Sequence, residues 1–309
     1  MMLEDVWTAR QASTVQQYCY ALRKFFSFCI LFNSEVVLPT ESLIIAKYLA
    51  YMRHNNFAQG AFKVIIVALK WVHSFIPGIK KINCPLEDQF ILKLRDSAMR
   101  NVPKKANQKE PIKGDLIKLI MSNLPEEASV LQLRNVLMPA MAYSLLLRHD
   151  ELCHLNCTFI SEEVKGLKIL IPSSKTDVFR EGKIVFLAKQ VGGYSVFNLF
   201  NSYIKSAGLK LGQNHFLFTP IFRGCVLNEK LAYASYLSIV KNQMASLGLN
   251  PDFYGTHSLR SGGASDLASQ VSEFELMLSG RWRDPRSLKS YVKVSEDRRF
   301  AIADKLSLF

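Results

Sequence analysis

The chain has 309 residues, enough for more than one ordinary domain with its own core. Apolar residues make up 49% of it, which excludes a disordered chain, and no apolar run reaches the ~18 residues of a membrane span. A formal net charge of +13 points to an acidic polymer as partner, nucleic acid first, against the plainer alternative of a basic enzyme with no such partner.

The opening residues, Met-Met-Leu-Glu-Asp-Val-Trp, place no basic stretch ahead of an apolar core, so no secretory signal is expected. Cys19, Cys29, Cys84, Cys153, Cys157 and Cys225 form no Cys-x-x-Cys pair and read as reduced thiols of an intracellular protein. His149, Cys153 and Cys157 recur every four residues, with His154 beside them. They lack a clear fourth ligand and the usual spacing, so core-facing small residues are favoured over zinc, and no metal is assigned.

Ser13 is expected to cap a helix over 13–33 whose apolar side carries Val15, Tyr18, Leu22, Phe25, Phe26 and Cys29. Thr40 is expected to cap a second, with Leu43, Ile44, Tyr48 and Tyr51. A third spans 59–75, with Ala61, Val64, Ile65, Ala68, Leu69, Val72 and Phe75 inside. Pro85 opens a fourth that ends near Arg100 and buries Leu86, Phe90, Leu94 and Ala98. Residues 1–100 thus read as a small all-helical domain. Its polar faces offer Arg23, Lys24, Lys63 and Lys70 for phosphate contacts, although such charges usually just solvate a helix. Residues 101–112 read as a basic linker around Pro103 and Pro111, with Lys104 and Lys105 as further candidates for DNA contact.

The second domain, 113–309, opens with helices over 115–123 and 128–147, the latter carrying Pro139 and a kink. It runs into an apolar helix end, then Arg148, Glu151 and a second apolar helix. Strands over 166–171 and 183–187 are expected to form a hairpin, with Lys175 in its connection and Lys183 as an alternative lysine. Helices follow over 194–206 and 230–246; the short apolar segment 216–218 is ambiguous. The stretch from Gly255 reads Gly-Thr-His-Ser-Leu-Arg-Ser-Gly-Gly-Ala, and Ser-Gly-Arg-Trp-Arg-Asp-Pro-Arg follows. His257 and Arg260 stand one helical turn apart at a helix N-terminus, which favours an anion. Trp282 and Tyr291 come next, with Pro285 at a first helical position. Phe300, Ile302, Leu306 and Phe309 give the tail 300–309 the apolar side of a terminal helix.

His-x-x-Arg, a Trp, and a Tyr nine residues later resemble the C-terminal signature of the tyrosine recombinases, the phage-integrase family. The Arg148 and Glu151 segment resembles that family's first arginine box. The motif style, Ser-Lys-Thr-Asp with Gly-Arg-Trp, looks closest to recombinases of eukaryotic mobile elements such as Cryptons and the DIRS group. The resemblance implies a mainly α fold with a small β-sheet: a helical core-binding domain and an α+β catalytic domain. It implies a site made of Arg148, Lys175, His257, Arg260, Trp282 and Tyr291, with Glu151 orienting Arg148.

In that chemistry Arg148 and Arg260 offer planar forks to nonbridging phosphate oxygens. Tyr291 is the nucleophile, His257 its proton acceptor and Lys175 the acid for the departing 5′ oxygen. Trp282 can donate one N–H but cannot shuttle protons. The product would be a 3′-phosphotyrosyl bond, formed without a metal or nucleotide cofactor. The implied partners are double-stranded DNA with paired recognition sites and further copies of the chain, as dimer or tetramer, through the tail or otherwise. The implied setting is intracellular, in the nucleus if the host is eukaryotic. The rivals are a type IB topoisomerase, a DNA-binding protein that has lost catalysis, and a helical protein-interaction module.

Overall fold

The structure is a computed structural model that describes residues 10–34, 37–76, 84–101, 109–172, 182–190, 193–293, 299–300 and 303–304. The chain divides into two compact units, Met1–Ala106 and Asn107–Phe309.

The first unit is helical: α1 is Ala12–Leu31, α2 Ser42–His54, α3 Gln59–His73 and α4 Gln89–Asn101. α1 packs on α3 and α2 on α4. Phe25, Phe28 and Tyr48 meet at ring separations of 5.0–5.1 Å inside this core, with Phe62 and Ile65 behind them. The expected caps are corrected. α1 starts one residue before Ser13, and neither α1 nor α2 has a side-chain cap bond. Thr40 is buried instead, and its amide donates to His73 Nε2 at 2.8 Å while His73 Nδ1 donates to the Leu69 carbonyl.

Two apolar faces are also rotated from expectation. α2 buries Ile45, Tyr48, Leu49 and Met52, an i, i+3, i+4, i+7 stripe that leaves Leu43 exposed. Pro85 opens only a 3₁₀ turn, Pro85–Glu87, and the α-helix restarts at Gln89. That restart shifts the helical phase, so Ile91 is buried and Phe90 is exposed.

In the second unit, α5 (Gly114–Ser122) leads to α6 (Val130–Ser144), which is the centre of the core. A capping box between Ser129 and Gln132 starts α6, and Leu137, Met138 and Met141 on it are wholly buried. Pro139 lies within α6 as expected. The short α7 (His149–Cys153) follows. Strands β1 (Ile160–Glu163), β2 (Gly166–Ile171) and β3 (Lys183–Ala188) then form an antiparallel sheet in that order. Leu167, Ile169, Ile171, Val185 and Leu187 face the core, while Leu170, Ile184 and Phe186 face out, the alternation a one-sided sheet requires. β1 was not expected from the sequence. α8 (Val196–Ser206) packs on α6, and β4 (Ile221–Phe222) with β5 (Cys225–Val226) makes a small hairpin just past the ambiguous 216–218 segment. α9 (Tyr233–Ser246), α10 (Thr256–Leu267), α11 (Glu273–Gly280) and α12 (Pro285–Lys289) follow. Among the described residues, no helix is long and apolar enough to cross a membrane.

Cys153 and Cys157 belong to this core, and burial pushes their thiols up to about 12 and about 11. His154 turns outward and its Nδ1 donates to the Asp150 carbonyl. The expected linker 101–112 ends sooner than its composition suggested. Glu110 and Ile112 donate their amides to the carbonyls of Phe253 and Ser258 at 2.7 and 2.9 Å, and Ile112 is fully buried. Backbone pairing and one apolar anchor thus dock 110–112 on the second unit. Of the four apolar tail residues, Phe300 alone lies within the described residues, and it is exposed.

Candidate active site

α10 carries His257 and Arg260, and its small residues sink it into the unit. A Cβ on Gly262 would lie 1.7 Å from the Ile112 carbonyl oxygen, so only glycine permits that approach. Ser258 closes the helix start by accepting the Gly255 amide at 3.0 Å. The result is an arginine with no solvent exposure and an exposed histidine one turn before it.

The Arg260 guanidinium donates to two main-chain carbonyls, those of Leu146 and, at 2.5 Å, Gly280. Its Cζ lies 4.3 Å from the ring centre of Trp282 and 5.2 Å from that of Tyr291. Burial and the adjacent Arg148 push the Arg260 pKa down; Glu151 pulls the other way.

Arg148 is the N-cap residue of α7. Its amide donates to Glu151 Oε2 at 2.9 Å and its Nη1 to Oε1 at 2.6 Å. Sequence reasoning set Glu151 against Arg148 alone. A further guanidinium reaches it: Arg281 Nη2 donates to Glu151 Oε2 at 2.8 Å. The same nitrogen donates to the Leu146 carbonyl at 2.9 Å, and Nη1 donates to the carbonyls of Leu145 and Ser279, both at 3.2 Å. Arg281 ends α11 with φ at +58°, and Leu146 has φ at +49°. Each left-handed non-glycine residue costs about 1–3 kcal/mol and marks a place where the surroundings impose the conformation.

Burial alone would raise the Glu151 carboxyl. Arg281, the Arg148 amide and guanidinium, and Arg260 outweigh it and hold the group below the usual carboxylate range. Since arginine stays protonated, Arg148, Arg260 and Arg281 face a single buried carboxylate, and the balance of charge is positive. Arg260 Nε and Trp282 Nε1 are buried donors with no partner among the described residues. A site of this kind suits an anion with several acceptor oxygens.

Trp282 lies immediately beyond the left-handed turn, packed with Leu146, Ala264, Leu276 and Leu288. A Cβ on Gly280 would fall 1.7 Å from its indole ring, so the glycine makes room for the tryptophan. α12 begins at Pro285 with Asp284 as N-cap and delivers Tyr291 just past its end. The Tyr291 ring centre lies 5.4 Å from that of Trp282 and 6.2 Å from that of His257. Ser261 and Ser265 on α10 donate to the Tyr291 carbonyl at 2.5 and 3.4 Å.

The structure therefore brings Arg148, Glu151, His257, Arg260, Trp282 and Tyr291 of one chain into one site. Lys175 lies outside the described residues, as do Lys104 and Lys105. The alternative lysine, Lys183, opens β3 at the mouth of the same hairpin. Spacing did not single out Arg281, Ser261 or Ser265. The only sequence hint was the Gly-Arg-Trp step itself, a helix-ending glycine followed by a charge.

No family model and no curated protein sequence matches the chain. Solved structures do. The XerH site-specific recombinase bound to palindromic difH substrate, in a post-cleavage complex, aligns with a TM-score of 0.69 at 16% identity, covering 95% of this chain and 79% of that one. The Tn1549 transposon integrase in complex with transposon right end DNA aligns at 0.64 and 15% identity, covering 96% and 95%. A lambda integrase dimer bound to a COC′ core site aligns at 0.63 and 15%, covering 94% and 93%. This chain has the tyrosine recombinase fold. The mainly α architecture with a small sheet expected from the sequence is the one observed.

The cations of the first unit differ in exposure and pairing. Arg23, Lys24 and Lys63 are exposed, with Lys24 Nζ 4.6 Å from the Tyr20 ring centre and 5.6 Å from that of Phe57. Lys70 is held by Glu87 at 2.6 Å.

Proposed function

We propose that this protein is a site-specific DNA recombinase that cleaves and rejoins strands through a 3′-phosphotyrosyl intermediate. The observation that carries the reading is the seating of a tyrosine hydroxyl-bearing ring beside a buried arginine, a tryptophan and a histidine, within a site of excess positive charge. The fold is shared with recombinases and integrases whose structures hold DNA, which supports the same class of partner here.

In the reaction, the Tyr291 oxygen attacks the scissile phosphorus and loses its proton to His257. The bond from phosphorus to the 5′ oxygen breaks, and Lys175 protonates that oxygen as it leaves. Arg148 and Arg260 bear the charge that builds on the nonbridging oxygens. Losing one such contact typically costs ~10²–10³ in rate, roughly 3–4 kcal/mol. Trp282 donates its indole N–H to a phosphate oxygen. Reversal by a 5′ hydroxyl from another duplex exchanges strands. No step as written calls on a metal or a nucleotide cofactor. The helical unit and the lysines at 104 and 105 would grip the DNA backbone, and copies of the chain would assemble on paired sites as dimers or tetramers. The Ser-Lys-Thr-Asp and Gly-Arg-Trp motifs favour a eukaryotic mobile element as the setting, which would put the protein in the nucleus.

A nicked suicide duplex from the source locus tests the reading. The wild-type protein is expected to form a covalent adduct in EDTA, stable in a denaturing gel. Tyr291→Phe is expected to bind the duplex and form none; an unchanged adduct in that variant would remove Tyr291 as nucleophile. Relaxation of a plasmid lacking any recognition site would point to the topoisomerase alternative instead.

A further inference from the structure

We propose that Arg281 is a positioning residue that fixes Arg148 and Arg260 relative to each other; as a role in strand cleavage it rests on the recombinase reading. The cleavage candidates come from separate segments. Arg148 is held by Glu151, whose Oε1 takes Arg148 Nη1 and whose Oε2 takes the Arg148 amide. Arg260 is held in part by the Leu146 carbonyl. Arg281 Nη2 donates to both of these acceptors, at 2.8 and 2.9 Å. One guanidinium thereby ties the carboxylate that holds the first arginine to the carbonyl that holds the second.

The hydrogen bonding also favours this role over substrate contact. Arg281 Nη1 and Nη2 make four hydrogen bonds, to Leu145, Leu146, Ser279 and Glu151, which uses all of their hydrogens; Nε is the one donor left over, and it is buried. Only 6% of its side chain is exposed. Arg260 spends one Nη bond on each of two carbonyls and keeps donors in reserve. Arg281 further supplies charge. Glu151 paired with Arg148 alone would leave a neutral couple; with Arg281 on the same carboxylate the group stays cationic toward an incoming anion. The left-handed backbone at Arg281 is a place where glycine is the easy choice, so the side chain there offsets a strain that glycine would avoid.

That strain provides a suitable variant. Arg281→Gly removes the guanidinium while favouring the backbone turn, so relief of strain offsets part of the cost of breaking the buried pair with Glu151, and the variant should fold with a lowered melting temperature. We expect its single-turnover adduct rate on saturating suicide duplex to fall about 10–100-fold, as for loss of an orienting partner, with duplex affinity unchanged. Guanidinium ion at millimolar concentration should restore part of the rate in Arg281→Gly and none in Arg148→Gly measured alongside. A wild-type rate in Arg281→Gly would overturn the proposal. So would a slow rate that does not respond to guanidinium, which marks a structural role alone. If the wild-type protein forms no adduct, the recombinase reading fails and the ¹⁵N-arginine NMR spectrum decides. Slow-exchanging Nε–Hε signals of Arg148 and Arg260 that quicken together in Arg281→Gly uphold the positioning, and signals that do not move overturn it.

Discussion

Ser261 donates its hydroxyl to the main-chain carbonyl of Tyr291 at 2.5 Å. This bond joins the segment that presents the tyrosine to the helix that carries His257 and Arg260. Ser265 adds a longer bond to the same carbonyl, and it accepts the Lys293 amide at 2.9 Å. The position of the tyrosine is therefore set through its backbone, leaving the phenol ring free to act.

Ser261→Ala should loosen that attachment without touching the reacting groups. A single neutral hydrogen bond is worth about 1 kcal/mol, or about a fivefold slower adduct step. Ser261→Ala with Ser265→Ala should slow it further, with duplex binding unchanged. Single-turnover adduct formation measures this, and equal rates in wild type and double variant would dismiss the backbone anchor.

Gly280→Ala should disturb both Trp282 and Arg260. The added methyl would lie 1.7 Å from the indole, and the Gly280 carbonyl is an Arg260 acceptor. Overpacking of this kind costs about 1–3 kcal/mol, a loss of several degrees in melting temperature. Calorimetry of the full chain checks it; a Gly280→Ala protein as stable as wild type would mean the indole can move aside.

Acid stability should depend on Glu151. Its folded pKa lies below its unfolded one, because its cationic partners outweigh burial. Its contribution is then complete above the ordinary carboxylate value of about 4.3 and fades as pH drops through the lower folded value. Glu151→Gln should cost about 3–5 kcal/mol near neutrality, where buried cations lose their counter-charge. It should also flatten the decline of melting temperature below about pH 4.3 relative to wild type. Parallel curves for the two proteins across that range would contradict the assignment.

Duplex binding should weaken with salt, and the cations of the helical unit should differ in how much they matter. Arg23→Gln, Lys24→Gln and Lys63→Gln should each lower the slope of log affinity against log salt by about 1. Lys70→Gln should change it least, because Glu87 already holds that ammonium. Fluorescence anisotropy across a salt series gives the slopes. A Lys70 effect equal to the other three would reverse this ranking.

The site was legible where side chains repeat at helical spacing. His257 and Arg260 share a helix turn, Arg148 and Glu151 share another, and the step from Trp282 to Tyr291 spans one short helix. Arg281 was not legible because its burial comes from a left-handed turn that aims it at Glu151, far away in sequence. Among Arg283, Arg286 and Lys289 it reads as one more solvated charge. β1 escaped for a similar reason: Ile160 is the sole buried residue in Ile-Ser-Glu-Glu, and the strand exists because β2 pairs with it. Thr40 looked like a helix cap because hydroxyl residues usually serve there, yet His73 lies within reach of its amide and claims it.

The tyrosine ring rests against the arginine, tryptophan and histidine of its own polypeptide. If each copy cuts with its own phenol, two crippled copies cannot repair one another. A mixture of Tyr291→Phe chains with Arg260→Ala chains should be as inert on a shared duplex as either variant alone, whatever assembly they form.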